Sequence, residues 1–195
     1  MKSYILAAIC FIPISAFGQL SKTTWLVGGS GSLYSYNESY SSPATNFSAK
    51  YTNIDISASL GYFPFDKFAA GLRPMYSSFK GKVINGGKTN SFQIAVGPFL
   101  RYYFLDDENS FNFLTDVSYL FGMNKYLGVL REKGKFNTFN VMCGSEVFFN
   151  TTAGIEILIG YSKKIVSINN SPGEFKSTKS GVLVSIGLQF HLQKN

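Results

Sequence analysis

Phe92-Gln93-Ile94-Ala95-Val96-Gly97-Pro98-Phe99-Leu100-Arg101-Tyr102-Tyr103-Phe104 and Phe111-Asn112-Phe113-Leu114-Thr115-Asp116-Val117-Ser118-Tyr119-Leu120-Phe121-Gly122 flank a short polar stretch, Leu105 to Ser110. Both halves alternate with a period of two, the signature of strands, and the polar stretch is short enough to close a hairpin. One face collects Phe92, Ile94, Val96, Pro98, Leu100 and Tyr102, then Phe111, Phe113, Thr115, Val117, Tyr119 and Phe121. The other collects Gln93, Ala95, Gly97, Phe99 and Arg101, then Asn112, Leu114, Asp116, Ser118 and Leu120. About 9–11 tilted residues carry a strand across a bilayer, and each half is that long.

Volume decides which face looks outward. An eight-stranded barrel has an interior just wide enough to be filled by side chains. It has room for Gly, Ala, Ser and a few charges, not for the bulk of every greasy face. The greasy face must therefore look outward, where it needs lipid. The hairpin is expected to be part of a transmembrane β-barrel.

The same pattern recurs along the chain. Trp25, Val27 and Leu33 mark a first strand near Thr24–Tyr34. Ile54 to Tyr62 and Phe68 to Tyr76 mark the second and third, with the turn Phe63-Pro64-Phe65-Asp66-Lys67 between them. Phe139 to Phe149, Ala153 to Tyr161 and Val182 to Leu192 complete eight. Long polar loops are expected at 36–50, 80–89, 123–137 and 163–178, and short turns elsewhere. An even strand count with short turns on one side and long loops on the other is the organisation of outer-membrane barrels. Two aromatic girdles are expected at the interfaces, with Trp25, Tyr62, Phe63, Phe104, Phe111, Phe149 and Phe190 at one rim. Tyr34, Tyr51, Tyr76, Phe79, Phe92, Tyr119, Phe121, Phe139 and Tyr161 belong to the other. Pro74 and Pro98 fall inside strands, where a missing N–H calls for a bulge at one or both.

The bulk composition agrees. Charged residues are 15%, and nineteen Gly, nineteen Phe and twelve Tyr favour strands over helices. The chain opens with Met1-Lys2, an apolar core from Tyr4 to Ile12, and small residues at Ala16 and Gly18. That is a secretory signal peptide over residues 1–18, leaving one barrel domain over 19–195. Its removal takes Cys10 and leaves Cys143 alone, so no intramolecular disulfide is expected.

On the signal peptide, Leu60-Gly61-Tyr62, the Val96 to Phe104 strand and the closing Leu188-Gln189-Phe190-His191-Leu192, the chain resembles small outer-membrane β-barrel proteins of the OmpA/OmpX, porin-family kind. The resemblance implies an all-β, eight-stranded antiparallel up-and-down transmembrane barrel in the bacterial outer membrane. It also implies that the barrel-insertion machinery reads the last strand, with Phe190 or Leu192 as its terminal signal.

Chemistry is sparse. The single histidine, His191, has inward parity and is read as a lumen residue. Eight-stranded lipid A deacylases resemble this architecture but carry a His-x-Ser pair on the lipid face, whereas His191 is followed by Leu192-Gln193. His and Cys are too few for a metal centre. Gly28-Gly29-Ser30-Gly31-Ser32 lacks the Lys and helix of a phosphate-cradling loop. No catalytic residue, cofactor or metal is expected, and the protein is read as a non-enzyme.

Two constellations remain. Asp55, Arg73, Arg101, Asp116, Glu146 and Glu156 share inward parity and form a lumen charge network. Within it, Glu146 and Glu156 should face each other across the Asn150-Thr151 turn, bridged by Arg73 with help from Arg101, while Arg101 should meet Asp116. The long loops, in contrast, carry a basic surface that includes Lys80, Lys82, Lys133, Lys135, Lys163 and Lys164. Together the loops, with Lys179 just past the last of them, hold twelve Lys and Arg against three Glu. Such a surface attracts polyanions, and lipopolysaccharide headgroups are the nearest. Nucleic acid fits poorly, because the aromatics lie on the lipid face. The expectation is a monomeric barrel with a structural or surface-interaction role: membrane integrity, adhesion or binding through its loops. The alternative is a narrow pore or conduit for small or hydrophobic solutes.

Overall fold

A computed structural model describes residues 20–42, 45–82, 88–106, 109–127, 133–170 and 173–193. Residues 1–18, read above as a signal peptide, lie outside the described residues. Eight strands follow one another: β1 (Trp25–Ser42), β2 (Thr45–Phe65), β3 (Phe68–Lys82), β4 (Lys88–Tyr103), β5 (Phe111–Leu127), β6 (Lys133–Phe148), β7 (Ala153–Asn170) and β8 (Gly173–Leu192). Each pairs antiparallel with its neighbours, and β8 returns to β1 from Trp25↔Leu192 to Asn37↔Ser180. The result is a closed up-and-down barrel without a free sheet edge.

Facing follows the alternation. Ile56, Ile157 and Ile186 point outward and are more than half exposed, at 63, 55 and 58%. Their sequence neighbours Ser57, Glu156 and Ser185 are buried inside. A barrel in water would be arranged the other way round.

Four expectations are corrected. The polar stretches read as long loops are largely strand. β1 and β2 run to Ser42 and from Thr45, and β7 and β8 run to Asn170 and from Gly173. Strands of 15 to 21 residues exceed the span of a bilayer, so their ladders project beyond it. Outside the lipid the backbone still pairs, although the apolar alternation that marks it has no reason to continue. Neither Pro74 nor Pro98 carries a bulge. The register on both of their flanks is unshifted, and only the pairings around Ala58/Pro74 and Pro98/Tyr119 drop out. The one register shift of this hairpin lies between Tyr62 and Phe65, beside Pro64, where the chain enters the Asp66-Lys67 turn with Lys67 at φ 64°.

Phe63 and Tyr34 leave the aromatic rims. The parity that turns Tyr62 and Leu33 outward turns these two inward, and both are buried. The remaining interior is also less polar than volume suggested. Phe63, Phe99, Tyr103, Leu114, Phe148 and Leu158 form one buried apolar cluster, and Leu120, Phe136 and Val166 belong to another. Bulky inward rings are offset by inward glycine: a Cβ at Gly122 would stand 2.3 Å from the Phe136 ring.

The end of the barrel with the short turns is sealed. Leu20 is fully buried in the larger cluster, and its carbonyl accepts from the Lys67 N–H at 2.7 Å. The Lys22 N–H donates to the Asp66 carboxylate, and Thr23 to the Phe63 carbonyl. Above this strap Phe63, Tyr103 and Phe148 pack around the His191 ring, with centroids 5.2 to 5.9 Å from it. The Lys67–Asp106 ion pair at the same end is largely solvent-exposed, and such pairs add little.

The inverted facing predicts a depth-dependent penalty. Ile157→Arg should cost about 2–4 kcal/mol in denaturant unfolding from lipid vesicles if it lies near the midplane. Ile157→Leu should be close to neutral. Equal stability of the two variants would mean that this wall does not meet lipid.

Candidate functional site

The inward polar residues of β2 to β8 meet in a buried charge cluster in the half of the barrel next to the short turns. Arg73 on β3 forms a two-pronged pair with Asp116 on β5: Nη1 donates to Oδ1 at 2.6 Å and Nη2 to Oδ2 at 2.8 Å. Its Nε donates to the Ser59 hydroxyl at 3.2 Å, and its guanidinium lies 4.5 Å from the centre of the Phe99 ring. Planar two-point pairing is the strongest geometry available to an arginine and a carboxylate. Arg101 on β4 stands opposite Asp116 in the ladder and donates its Nε to Oδ2 at 3.0 Å. Asp116 therefore serves two guanidinium groups.

Arg101 continues the chain of charge. Its Nη1 lies 2.8 Å from Glu156 Oε2 on β7, a charge contact not aligned as a hydrogen bond, and also donates to the Tyr103 hydroxyl at 3.3 Å. Gln189 Nε2 donates to the other Glu156 oxygen at 2.8 Å. Glu146 on β6 stands opposite Glu156, as the turn at Asn150-Thr151 implies. The two carboxylates turn to different partners. Glu146 accepts from the Tyr103 hydroxyl at 2.7 Å and pairs with His191 Nε2 at 2.8 Å. Repulsion between facing carboxylates is thus relieved by two separate donor sets.

The expected bridge from Arg73 to the two glutamates is not formed, because Arg73 spends its donors on Ser59 and Asp116. The reason is local. Arg73 stands opposite Gly97 on β4, where no side chain intervenes and the backbone closes on β5: a Cβ at Gly97 would stand 2.0 Å from the Tyr119 carbonyl oxygen. Arg73 reaches over this gap to β5 instead of crossing to β7. Arg101 takes the role of bridge, joining Asp116 to Glu156. Sequence reasoning missed Tyr103, Gln189 and His191 as members of the cluster, although their inward parity was available as a signal.

Asp55 is inward and 7% exposed but stands apart, and its Oδ1 has no hydrogen-bond partner among the described residues. It faces a cavity of about 30 Å³ on the far side of the cluster from the seal, lined also by Ser57, Thr138, Asn140 and Lys164.

The basic surface divides. Lys135 and Lys163 are exposed on the outer wall. Lys80, Lys82 and Lys133 sit at strand ends, and their side chains lie outside the described residues. Lys164 does not belong to the surface. It is 5% exposed inside the barrel, donating to Gln93 Oε1 at 2.7 Å with its ammonium 4.6 Å from the centre of the Phe136 ring. Because β7 runs unbroken through 162–167, alternation sends Lys163 out and Lys164 in.

Removing the bridge should expose the dependence of the cluster on it. Arg101→Met leaves Asp116 with one guanidinium and Glu156 with none, and should cost about 3–5 kcal/mol in vesicle unfolding. Arg73→Met should cost less, since Asp116 keeps Arg101. Glu156→Gln added to Arg101→Met should recover part of the loss. A larger loss for Arg73→Met would place the keystone elsewhere.

No family model matches the chain, and no curated protein matches it. Solved structures do. Neisserial surface protein A is similar over 86% of this chain and 96% of its own, at 12% identity and a TM-score of 0.58. The outer-membrane protein OprG of Pseudomonas aeruginosa is similar over 90% and 99%, at 14% identity and a TM-score of 0.56. The fold is that of the small eight-stranded outer-membrane β-barrels.

Proposed function

We propose that the chain is an integral, non-catalytic protein of the bacterial outer membrane that acts through its outer surface and keeps its lumen shut. The observation that carries this reading is the Arg73–Asp116–Arg101–Glu156 chain, which ties β3, β4, β5 and β7 together across the interior. Beneath it the aromatic seal and the Leu20 strap close the second barrier. An ion crossing the lumen would have to break these paired charges.

The surface role rests on Lys135 and Lys163, which point outward on the wall of β6 and β7, Lys163 opposite Phe139 and Lys135 further along toward the long-loop end, opposite Ser167. Ammonium groups next to an aromatic girdle suit the phosphates of lipopolysaccharide at the headgroup level. The closed ladder needs no second chain to satisfy its backbone, which supports a monomer. Insertion by the barrel-assembly machinery through the β8 end is part of the same reading. One observation favours a conduit instead: the cavity beside Asp55. It stops at the charge cluster.

Planar-bilayer recording tests the closed lumen. The wild-type chain should give no sustained conductance steps, and steady open current would favour the conduit. A second test separates the lysines. Lys135→Gln with Lys163→Gln should weaken lipopolysaccharide binding severalfold at low salt, with the difference fading once the screening length falls below about 8 Å. Lys164→Gln should leave that binding unchanged. Loss of binding with Lys164→Gln alone would overturn the division of the basic residues into wall and lumen.

A further inference from the structure

Three of the four buried carboxylates have close partners: Asp116 has two arginines, Glu156 has Arg101 and Gln189, and Glu146 has His191 and Tyr103. Asp55 has neither a hydrogen bond nor a salt bridge among the described residues, although it is more than nine-tenths buried. The nearest candidate counter-ion, Lys164, lines the same cavity but donates to Gln93 and lies over the Phe136 ring instead of forming a salt bridge with Asp55. A buried ionised carboxylate is costly unless a cation or several donors satisfy it.

Three oxygens of the cavity lining are left without a donor, although Arg73, Lys164 and several serines line it too. Asp55 Oδ1, Asn140 Oδ1 and Thr138 Oγ1 belong to residues that line it, and each is buried without a hydrogen-bond partner. Two are pure acceptors, and the hydroxyl can also present a lone pair. Ser32 and Ser57 add further hydroxyl oxygens to the lining. A volume of about 30 Å³ exceeds the roughly 10–15 Å³ that one water-sized guest requires. The guest must therefore be small, and it must donate protons or carry positive charge.

We propose that this cavity is a binding site for one small monovalent cation, held by Asp55 with the Thr138 and Asn140 oxygens. Oxygen-only ligands select hard cations. Of the two lining carboxylates Glu156 is already paired with Arg101, which leaves Asp55 alone, too little charge for a tight divalent site. No group of three or more His, Cys, Asp and Glu that could hold a metal ion occurs among the described residues. Access comes from the end of the barrel opposite the seal, since the charge cluster blocks the other direction. Lys164, lining the same cavity, tunes the site: its positive charge opposes the bound cation, so occupancy should be readily reversible.

The test is the thermal midpoint of the full chain refolded in detergent micelles, followed by heat-dependent gel mobility. Lithium, sodium, potassium and ammonium chlorides are compared with tetramethylammonium chloride, whose cation is too large for the cavity, at equal ionic strength. At least one small cation should raise the midpoint over tetramethylammonium, saturably with concentration. Asp55→Asn should abolish the difference, and Lys164→Gln should lower the half-saturating concentration. Should Asp55→Asn fail to refold, Asn140→Ala and Thr138→Val decide, each raising the half-saturating concentration severalfold. A wild-type midpoint identical in all five salts would mean that water alone fills the cavity, or that Lys164 swings to Asp55, and would overturn the site. So would a preference that survives Asp55→Asn, or one unaltered in both Asn140→Ala and Thr138→Val.

Discussion

The pairing of β8 with β1 is the constraint on which everything else rests. Once the ladder closes, every strand residue faces either the wall or the lumen, with no third option. In hydrocarbon an unpaired backbone edge costs several kcal/mol per group, so an open sheet could not remain there. Closure also fixes the interior at the width of a few side chains. The greasy exterior and the crowded, partly charged interior are two consequences of the same ring of hydrogen bonds.

A narrow interior makes charge a problem to be solved collectively. Four carboxylates, two arginines, a lysine and a histidine are buried within one barrel. Each ion loses hydration that its partners must replace. Sharing solves most of this: Asp116 binds two guanidinium groups, and Arg101 touches two carboxylates. The arrangement stitches non-neighbouring strands together, which the backbone ladder alone cannot do. It gives the barrel a fixed cross-section more than it gives net stability, because a buried pair often only breaks even with an apolar replacement.

Most of the architecture was legible because lipid imposes its period on the sequence. Ile54, Ile56, Leu60 and Ile155, Ile157, Ile159 betray facing wherever the wall meets hydrocarbon. Beyond the membrane that imprint ends while the ladder continues, and so Lys164 read as a loop residue although it occupies an inward strand position. Contacts between paired neighbours, such as Arg101 with Asp116 and Glu146 opposite Glu156, follow from register and were readable. Contacts between strands that are not neighbours were not. Whether Arg73 reaches β5 or β7 depends on the gap above Gly97 and on side-chain reach, which no alternation encodes.

The outward prolines bear on how such a wall deforms. Pro98 continues the ladder with β3, where Leu72 pairs with it, but offers β5 no donor, and Pro74 does the same toward β2. Two vertical seams of the cylinder, β2–β3 and β4–β5, thus each lack a rung, while β1–β8 is unbroken over its described length. A ring under lateral stress yields at its weakest joints. When the bilayer thins or bends, this cylinder should flex into an ellipse hinged at those two seams, leaving the β1–β8 junction that closes the ring undisturbed.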